Sequence, residues 1–210
     1  MIDYKKIFLI LEQDHQETML EQFKHHSKFQ MLIATMLSSR TKDTTTIPIV
    51  IKMFKKWNAP EDFLKLKGET LEKELYGIGF YKVKANNIKT LSKMILEDFN
   101  GVVPDTLEGL IKLPGVGRKT ANCMLNYAFN KPAIAVDIHV HRISNRLGWV
   151  NTQNEFQTEE KLMKIISPSF WGKVNLLLVD YGQRVCFPIK PDCEACKIQK
   201  YCNYNALVTE

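Results

Sequence analysis

Apolar residues recur at helical spacing through most of the chain, and nowhere do they alternate as a half-buried strand requires. Phe29, Leu32, Ile33, Met36 and Leu37 fall on one face of a segment that Ser27 can cap. Ile47, Val50, Ile51 and Phe54 mark a second helix within residues 44–57. Pro60 sits where a first helical turn tolerates it and opens residues 61–66. A short helix is expected over 71–75, ending at Tyr76-Gly77, and a longer one over 81–99, stopped by Asn100-Gly101. Asp105 and Glu108 have the spacing of a capping pair ahead of Leu107, Leu110 and Ile111. Further helices are expected at 121–129, from Asp137 to Leu147-Gly148, at 158–166 and at 170–181. The expected fold class is all-α.

A helix, a Gly-x-Gly turn and another helix occur twice, around Gly77-Ile78-Gly79 and Gly115-Val116-Gly117. That is an echo of one local shape and not a repeat array. Lys131-Pro132 is the best break in the pattern. Two helical lobes are expected: residues 20–132, and residues 133–210 with residues 1–19 packed on them.

Composition narrows the class. The 210 residues are 45% hydrophobic and 25% charged, which argues against a disordered or fibrous chain. Lys and Arg number 29 against 23 Asp and Glu, a net charge of +6 that favours a polyanionic partner. The most apolar stretches, such as 132–136 and 175–179, fall far short of the roughly 20 residues a bilayer requires. Met1-Ile2-Asp3-Tyr4-Lys5-Lys6 is not followed by an apolar core and a cleavage site, so the expectation is a cytoplasmic protein whose cysteines are reduced thiols, metal ligands or catalysts and not disulfides.

Four of the five cysteines, Cys186, Cys193, Cys196 and Cys202, form a Cys-x6-Cys-x2-Cys-x5-Cys run. Four thiolates in so short a segment suit one tetrahedral or cubane metal centre. Structural zinc usually takes two close pairs, and only Cys193 and Cys196 make one here; the longer outer spacers can wrap a larger cluster. Cys123, among Ala121, Met124 and Leu125, reads as a buried core thiol.

In Leu113-Pro114-Gly115-Val116-Gly117-Arg118-Lys119-Thr120 the glycines permit a tight turn and close approach of another molecule. The helix that follows presents free amides and a positive dipole end, a place for a phosphate; the glycines alone favour a plain helix–helix turn, and Arg118-Lys119 with the basic balance strengthens the phosphate reading. Lys119 is either a solvated surface cation or an amine whose proton is easily lost beside a helix N-terminus. A neutral amine attacks a sugar carbon to give a Schiff base. Asp137 caps the next helix, and a carboxylate held that rigidly can also serve catalysis. His139 and His141 are two apart, which sends them in different directions on a helix and argues against a shared metal.

Taken together these residues resemble the endonuclease III family of DNA glycosylases with lyase activity, in the helix–hairpin–helix superfamily. The resemblance runs from Ser27 to Cys202, anchored on Leu37-Ser38-Ser39-Arg40-Thr41-Lys42-Asp43, Gly77-Ile78-Gly79-Phe80-Tyr81, residues 113–122, residues 136–146 and the cysteine run. It implies a six-helix domain containing the hairpin and a [4Fe–4S] cluster domain, with duplex DNA bent across a cleft between them. It also implies that a damaged base is flipped from the stack, and that Lys119 attacks the anomeric carbon while Asp137 stabilises the cationic sugar. β-Elimination then cuts 3′ to the lesion. The family's substrates are mainly oxidised pyrimidines and abasic sites. The implied cluster ligands are Cys186, Cys193, Cys196 and Cys202, and the implied DNA contacts are Arg40, Gly115, Val116, Gly117, Arg118, His139 and Lys190. The enzyme is expected to act as a monomer.

Two positions depart from the family. Bacterial members usually carry Gln where this chain has Arg40, the residue that fills the gap left by the flipped base; Arg there is an archaeal feature. Ile138 stands where Thr is common. Mismatch and adenine glycosylases of the superfamily, which often carry Ser or Tyr in place of Lys119, and a non-catalytic DNA-binding module are the rival readings.

Overall fold

The computed structural model describes residues 3–204, and among them every regular element is helical. The elements are α1 (Tyr4–Glu12), α2 (Met19–Gln22), α3 (Lys28–Ser38), α4 (Asp43–Phe54), α5 (Pro60–Lys65), α6 (Gly68–Glu74), α7 (Tyr81–Asp98), α8 (Leu107–Ile111), α9 (Arg118–Cys123), α10 (Ile138–Arg146), α11 (Glu155–Ile165) and α12 (Trp171–Arg184). No helix among the described residues is long and apolar enough to cross a membrane. The chain divides into two compact units, one of Met19–Lys131 and one of Met1–Thr18 with Pro132–Glu210.

The first unit is organised on α3. Ser27 and Gln30 cap it reciprocally, the Ser27 N–H donating to Gln30 and the Gln30 N–H to Ser27 Oγ. One apolar face was expected of this helix. In fact Met31, Ala34 and Thr35 are buried as well as Leu32, Ile33, Met36 and Leu37. The reason is that α4, α7 and α9 all pack against it, and a helix enclosed on every side is apolar on every side. Thr35 returns its hydroxyl to Met31 O at 2.7 Å, so its burial leaves no donor stranded.

Two local expectations need correction. Asp105 does not cap α8. Lys131 Nζ takes its carboxylate at 2.6 Å, and Thr106 becomes the cap, its Oγ1 accepting the Gly109 N–H at 3.1 Å. The helix expected at 121–129 begins at Arg118 and changes to a π turn over Met124–Ala128.

In the second unit, α1, α10, α11 and α12 enclose a core that includes Phe8, Val140, Ile143, Leu162, Leu177 and Tyr181. The N-terminal segment is pinned to α12 by charge. Asp180, buried, accepts the Gln16 N–H at 3.2 Å and the Arg184 guanidinium at 2.6 and 2.8 Å. Arg184 reaches on to Asp14, which Lys197 also holds at 2.6 Å.

Asp180→Ala strands the Gln16 amide and takes from Arg184 the closer of its two carboxylates, leaving it Asp14 alone. It is expected to cost about 2–3 kcal/mol of unfolding free energy in a urea titration, with Asp180→Asn costing less. The Lys197 hydrogen bond, opposed by burial and reinforced by Arg184, holds the Asp14 carboxyl below the usual range. That support is present above the unfolded carboxylate pKa and lost as pH falls through the lowered folded value. The stability gap between the parent protein and Asp14→Asn is therefore expected to close on acidification below about pH 4.

Candidate nucleic-acid and catalytic site

The first unit carries the glycine hairpin between α8 and α9. Gly115 has φ +83°, and a Cβ there would stand 2.8 Å from both Asn87 Nδ2 and Met36 Sδ. Glycine is required on both counts. Val116 turns inward and is buried, anchoring the turn to the core, while Gly115 and Gly117 are exposed. Gly117 precedes α9 with no side-chain cap, which leaves the start of that helix suited to an anion. Arg118 is exposed at its first position; Lys119, half-buried, is its second; Thr120, Ala121 and Asn122 are buried behind them. Cys123 is buried at the end of α9.

A second turn lies in the same unit. Gly79 passes so close to the loop after α3 that an added Cβ would stand 2.8 Å from Arg40 O. Its N–H donates to Thr41 Oγ1 at 3.0 Å. Arg40 and Phe80 both adopt left-handed backbone, at φ +56° and +58°. Both side chains are exposed, and the Arg40 guanidinium lies 5.7 Å from the Phe80 ring centre.

Beneath this pair is Lys84, to which the linear pattern gave no role. Its Nζ donates to Leu37 O at 2.9 Å and Ser39 O at 2.6 Å, with Thr41 Oγ1 at 3.4 Å. Burial pulls its amine down to about 8, while the carbonyl oxygens around it favour the ammonium. The signal was there to find. Position 84 lies four residues before Ile88, on the buried stripe that continues through Leu91 and Ile95. The ends of α3 and α7 thus support both turns: Met36 and Asn87 seat Gly115, and Leu37 and Lys84 hold the Arg40 loop.

The second unit carries Asp137. Entering from the buried run Ala133–Val136, it caps α10, with Oδ1 accepting the His139 and Val140 N–H groups at 2.9 and 3.0 Å. One carboxylate oxygen is thus engaged by the cap. Ile138 is exposed. His139 and His141 take different partners: Arg142 lies 3.0 Å from one, and Thr158 Oγ1 lies 2.7 Å from the other.

All four cysteines of the C-terminal run are free, half-buried thiols in this same unit. Two arginines of α10 grip the start of the run. Arg142 donates to Cys186 O at 2.8 and 3.1 Å, and Arg146 donates to Cys186 Sγ at 3.2 Å, Phe187 O at 2.7 Å and Pro188 O at 2.9 Å. Cys202 Sγ faces Arg146 O at 3.4 Å. Burial pushes the Cys193 thiol up, and the neighbouring Cys202 and Cys186 push it further. The thiols therefore sense one another, yet no group of three or more His, Cys, Asp or Glu among the described residues is drawn together at metal-holding distances. Lys190, exposed and left-handed at φ +52°, lies in the loop between Cys186 and Cys193.

Charge is divided unequally. The first unit has 18 Lys and Arg against 11 Asp and Glu; the second has 11 against 12. The whole positive balance of the chain belongs to the unit with the hairpin.

Residues 33–168 match the family described as HhH-GPD superfamily base excision DNA repair protein. Endonuclease III of Thermotoga maritima is 45% identical over 181 residues, 86% of this chain and 85% of that protein. Endonuclease III of Escherichia coli is 38% identical over 182 residues, 87% and 86% of the two. Among solved structures, a trapped endonuclease III–DNA covalent intermediate superposes with a TM-score of 0.86 at 33% identity, over the whole of both chains. A thermostable thymine-DNA glycosylase gives 0.86 at 28% identity, covering 97% of this chain and 94% of that one. With a paired set of turns on a basic helical unit and likeness along most of its length, the chain belongs to the HhH-GPD superfamily of base excision DNA repair proteins and, within it, to the endonuclease III family of DNA glycosylases with lyase activity.

Proposed function

We propose that this enzyme binds duplex DNA containing oxidised pyrimidines or abasic sites, removes the damaged base and cuts the strand 3′ to it, acting as a monomer on the nucleoid. The observation that supports this most strongly is the full-length likeness to the trapped endonuclease III–DNA covalent intermediate, in a chain that keeps a lysine just inside the helix after the hairpin. Gly115, Val116, Gly117 and Arg118 receive a backbone phosphate, which positions the duplex without reading its sequence. His139 and Lys190 make further phosphate contacts, and Arg40 fills the space vacated by the flipped nucleotide.

Lys119 is the nucleophile. Its neutral amine forms a bond to C1′ as the bond from C1′ to the base breaks, and the departing base takes a proton. Asp137, through the carboxylate oxygen that does not cap α10, receives the proton of the attacking amine and balances the positive sugar. The ring opens to a Schiff base, which acidifies the C2′ hydrogen. Loss of that proton expels the 3′ phosphate oxygen, leaving a 5′ phosphate on one fragment and an unsaturated imine of Lys119 on the other; water then hydrolyses the imine, which frees the lysine and leaves an unsaturated aldehyde.

The donor set at the C-terminus fits an iron–sulfur group: four thiols in one short run, near enough to shift one another's ionisation. Cys186, Cys193, Cys196 and Cys202 would hold a [4Fe–4S] cluster. When bound it supplies a crosslink that ties residues 186–202 into one loop. Arg142 and Arg146 already fix the first end of that loop, and Lys190 is carried on it.

Borohydride added during reaction with an abasic duplex is expected to trap a covalent protein–DNA adduct on a denaturing gel. Lys119→Gln is expected to abolish it. Asp137→Asn, which keeps the cap, is expected to slow trapping about a hundredfold or more. An adduct that survives Lys119→Gln moves the nucleophile elsewhere, and no adduct from the intact enzyme supports a DNA-binding module.

The purified protein is expected to be brown, with four irons per chain. Cys193→Ser is expected to bleach it and expose the 186–202 segment to protease. Colourless protein with one zinc would contradict the cluster.

A further inference from the structure

Lys84 is more than a buried cation satisfied by nearby oxygens. The carbonyl groups it serves, Leu37 O and Ser39 O, lie at and just beyond the last turn of α3, where no intrahelical donor remains. Water or an ordinary helix cap would satisfy them at lower desolvation cost than an ammonium group that is almost wholly buried. What the lysine adds is a grip on both sides of one residue. Ser39 O lies before Arg40; Thr41 Oγ1, at 3.4 Å from Nζ, lies after it and is held in turn by the Gly79 N–H. Between them Arg40 is left-handed, and its guanidinium projects over Phe80, which itself begins the helix that carries Lys84. The Lys84 N–H donates to Phe80 O at 3.0 Å, so loop, turn and lysine form a closed circuit.

We propose that Lys84 is a positioning residue for base discrimination: by fixing the backbone on both sides of Arg40, it presents the guanidinium in one orientation to the base opposite the lesion. This rests on the reading of Arg40 as the residue that enters the gap in the duplex. A guanidinium donates in a fixed planar fork, so its choice of acceptor depends on how its backbone is held. A loop free to swing would let the same side chain find acceptors on any opposite base. On this proposal Lys84 acts through Arg40.

The test measures kcat/KM for excision of one oxidised pyrimidine placed opposite each of the four bases. The parent enzyme is compared with Lys84→Met, Arg40→Ala, the double variant and Thr41→Val, with thermal unfolding of each followed by circular dichroism. Lys84→Met is expected to reduce the ratio between best and worst opposite base about fivefold or more, as is Arg40→Ala. The double variant is expected to be no flatter than Arg40→Ala. Thr41→Val, at a half-buried loop position that removes one corner of the circuit, is expected to move the ratio in the same direction by less, and carries the test should Lys84→Met fail to fold. A uniform loss across all four duplexes, or additional flattening on the Arg40→Ala background, assigns Lys84 a structural role and overturns the proposal. A parent enzyme that forms no borohydride adduct overturns the reading of the site, and this proposal with it. A parent that forms the adduct, while Lys84→Met or Thr41→Val keeps its full discrimination, overturns the proposal alone.

Discussion

The close approach of Gly115 to Met36 and Asn87 is the constraint on which the first unit depends. A backbone that leaves no room for a Cβ between α3 and α7 fixes where the chain turns after α8, and hence the residue at which α9 starts. Two positions into that helix stands Lys119. Had the turn been looser by one residue, the lysine would rotate by about 100° around the helix and face the core or the solvent. The proposed nucleophile is therefore placed by packing between α3 and α7, and the enclosed character of α3 is what makes that packing rigid.

The second unit solves a different problem. The twenty described residues after α12 contain little regular structure, and apolar burial alone does not order such a tail. Polar ties do part of the work. Arg142 and Arg146 collect backbone oxygens from Gly182 through Pro188, and the Tyr181 hydroxyl accepts the Lys197 N–H at 2.8 Å. The thiols are left near one another but not drawn in. Such an arrangement suits a centre whose own bonds complete the loop, with the arginines gathered at Cys186, the first of the proposed ligands.

Much of this was legible in the sequence, for identifiable reasons. The Ser27 cap and the all-helical pattern depend on neighbours within a turn, which a linear reading sees. Asp105 was misassigned because Lys131, twenty-six positions away, competes for its carboxylate and shifts the cap to Thr106. The all-round burial of α3 was missed because periodicity shows one face at a time, whereas enclosure is decided by the helices that surround it. Lys84 was missed for the opposite reason: its position on the apolar stripe of α7 is a local signal, but a lysine at the end of a stripe usually extends its charge to water. Only the fold shows that the loop after α3 stands in the way. The cysteine spacing disclosed a candidate ligand set and not its arrangement, since spacing constrains reach and leaves direction open.

One amine carries the proposed chemistry. Proteolysis of the borohydride-reduced DNA adduct, followed by mass spectrometry of the peptide that retains the sugar remnant, identifies the attached residue without altering the enzyme. The mass increment is expected on Lys119, in a peptide that also contains Thr120 and Asn122. An increment on any other lysine, or on the α-amino group, would contradict the assignment on which the mechanism is built.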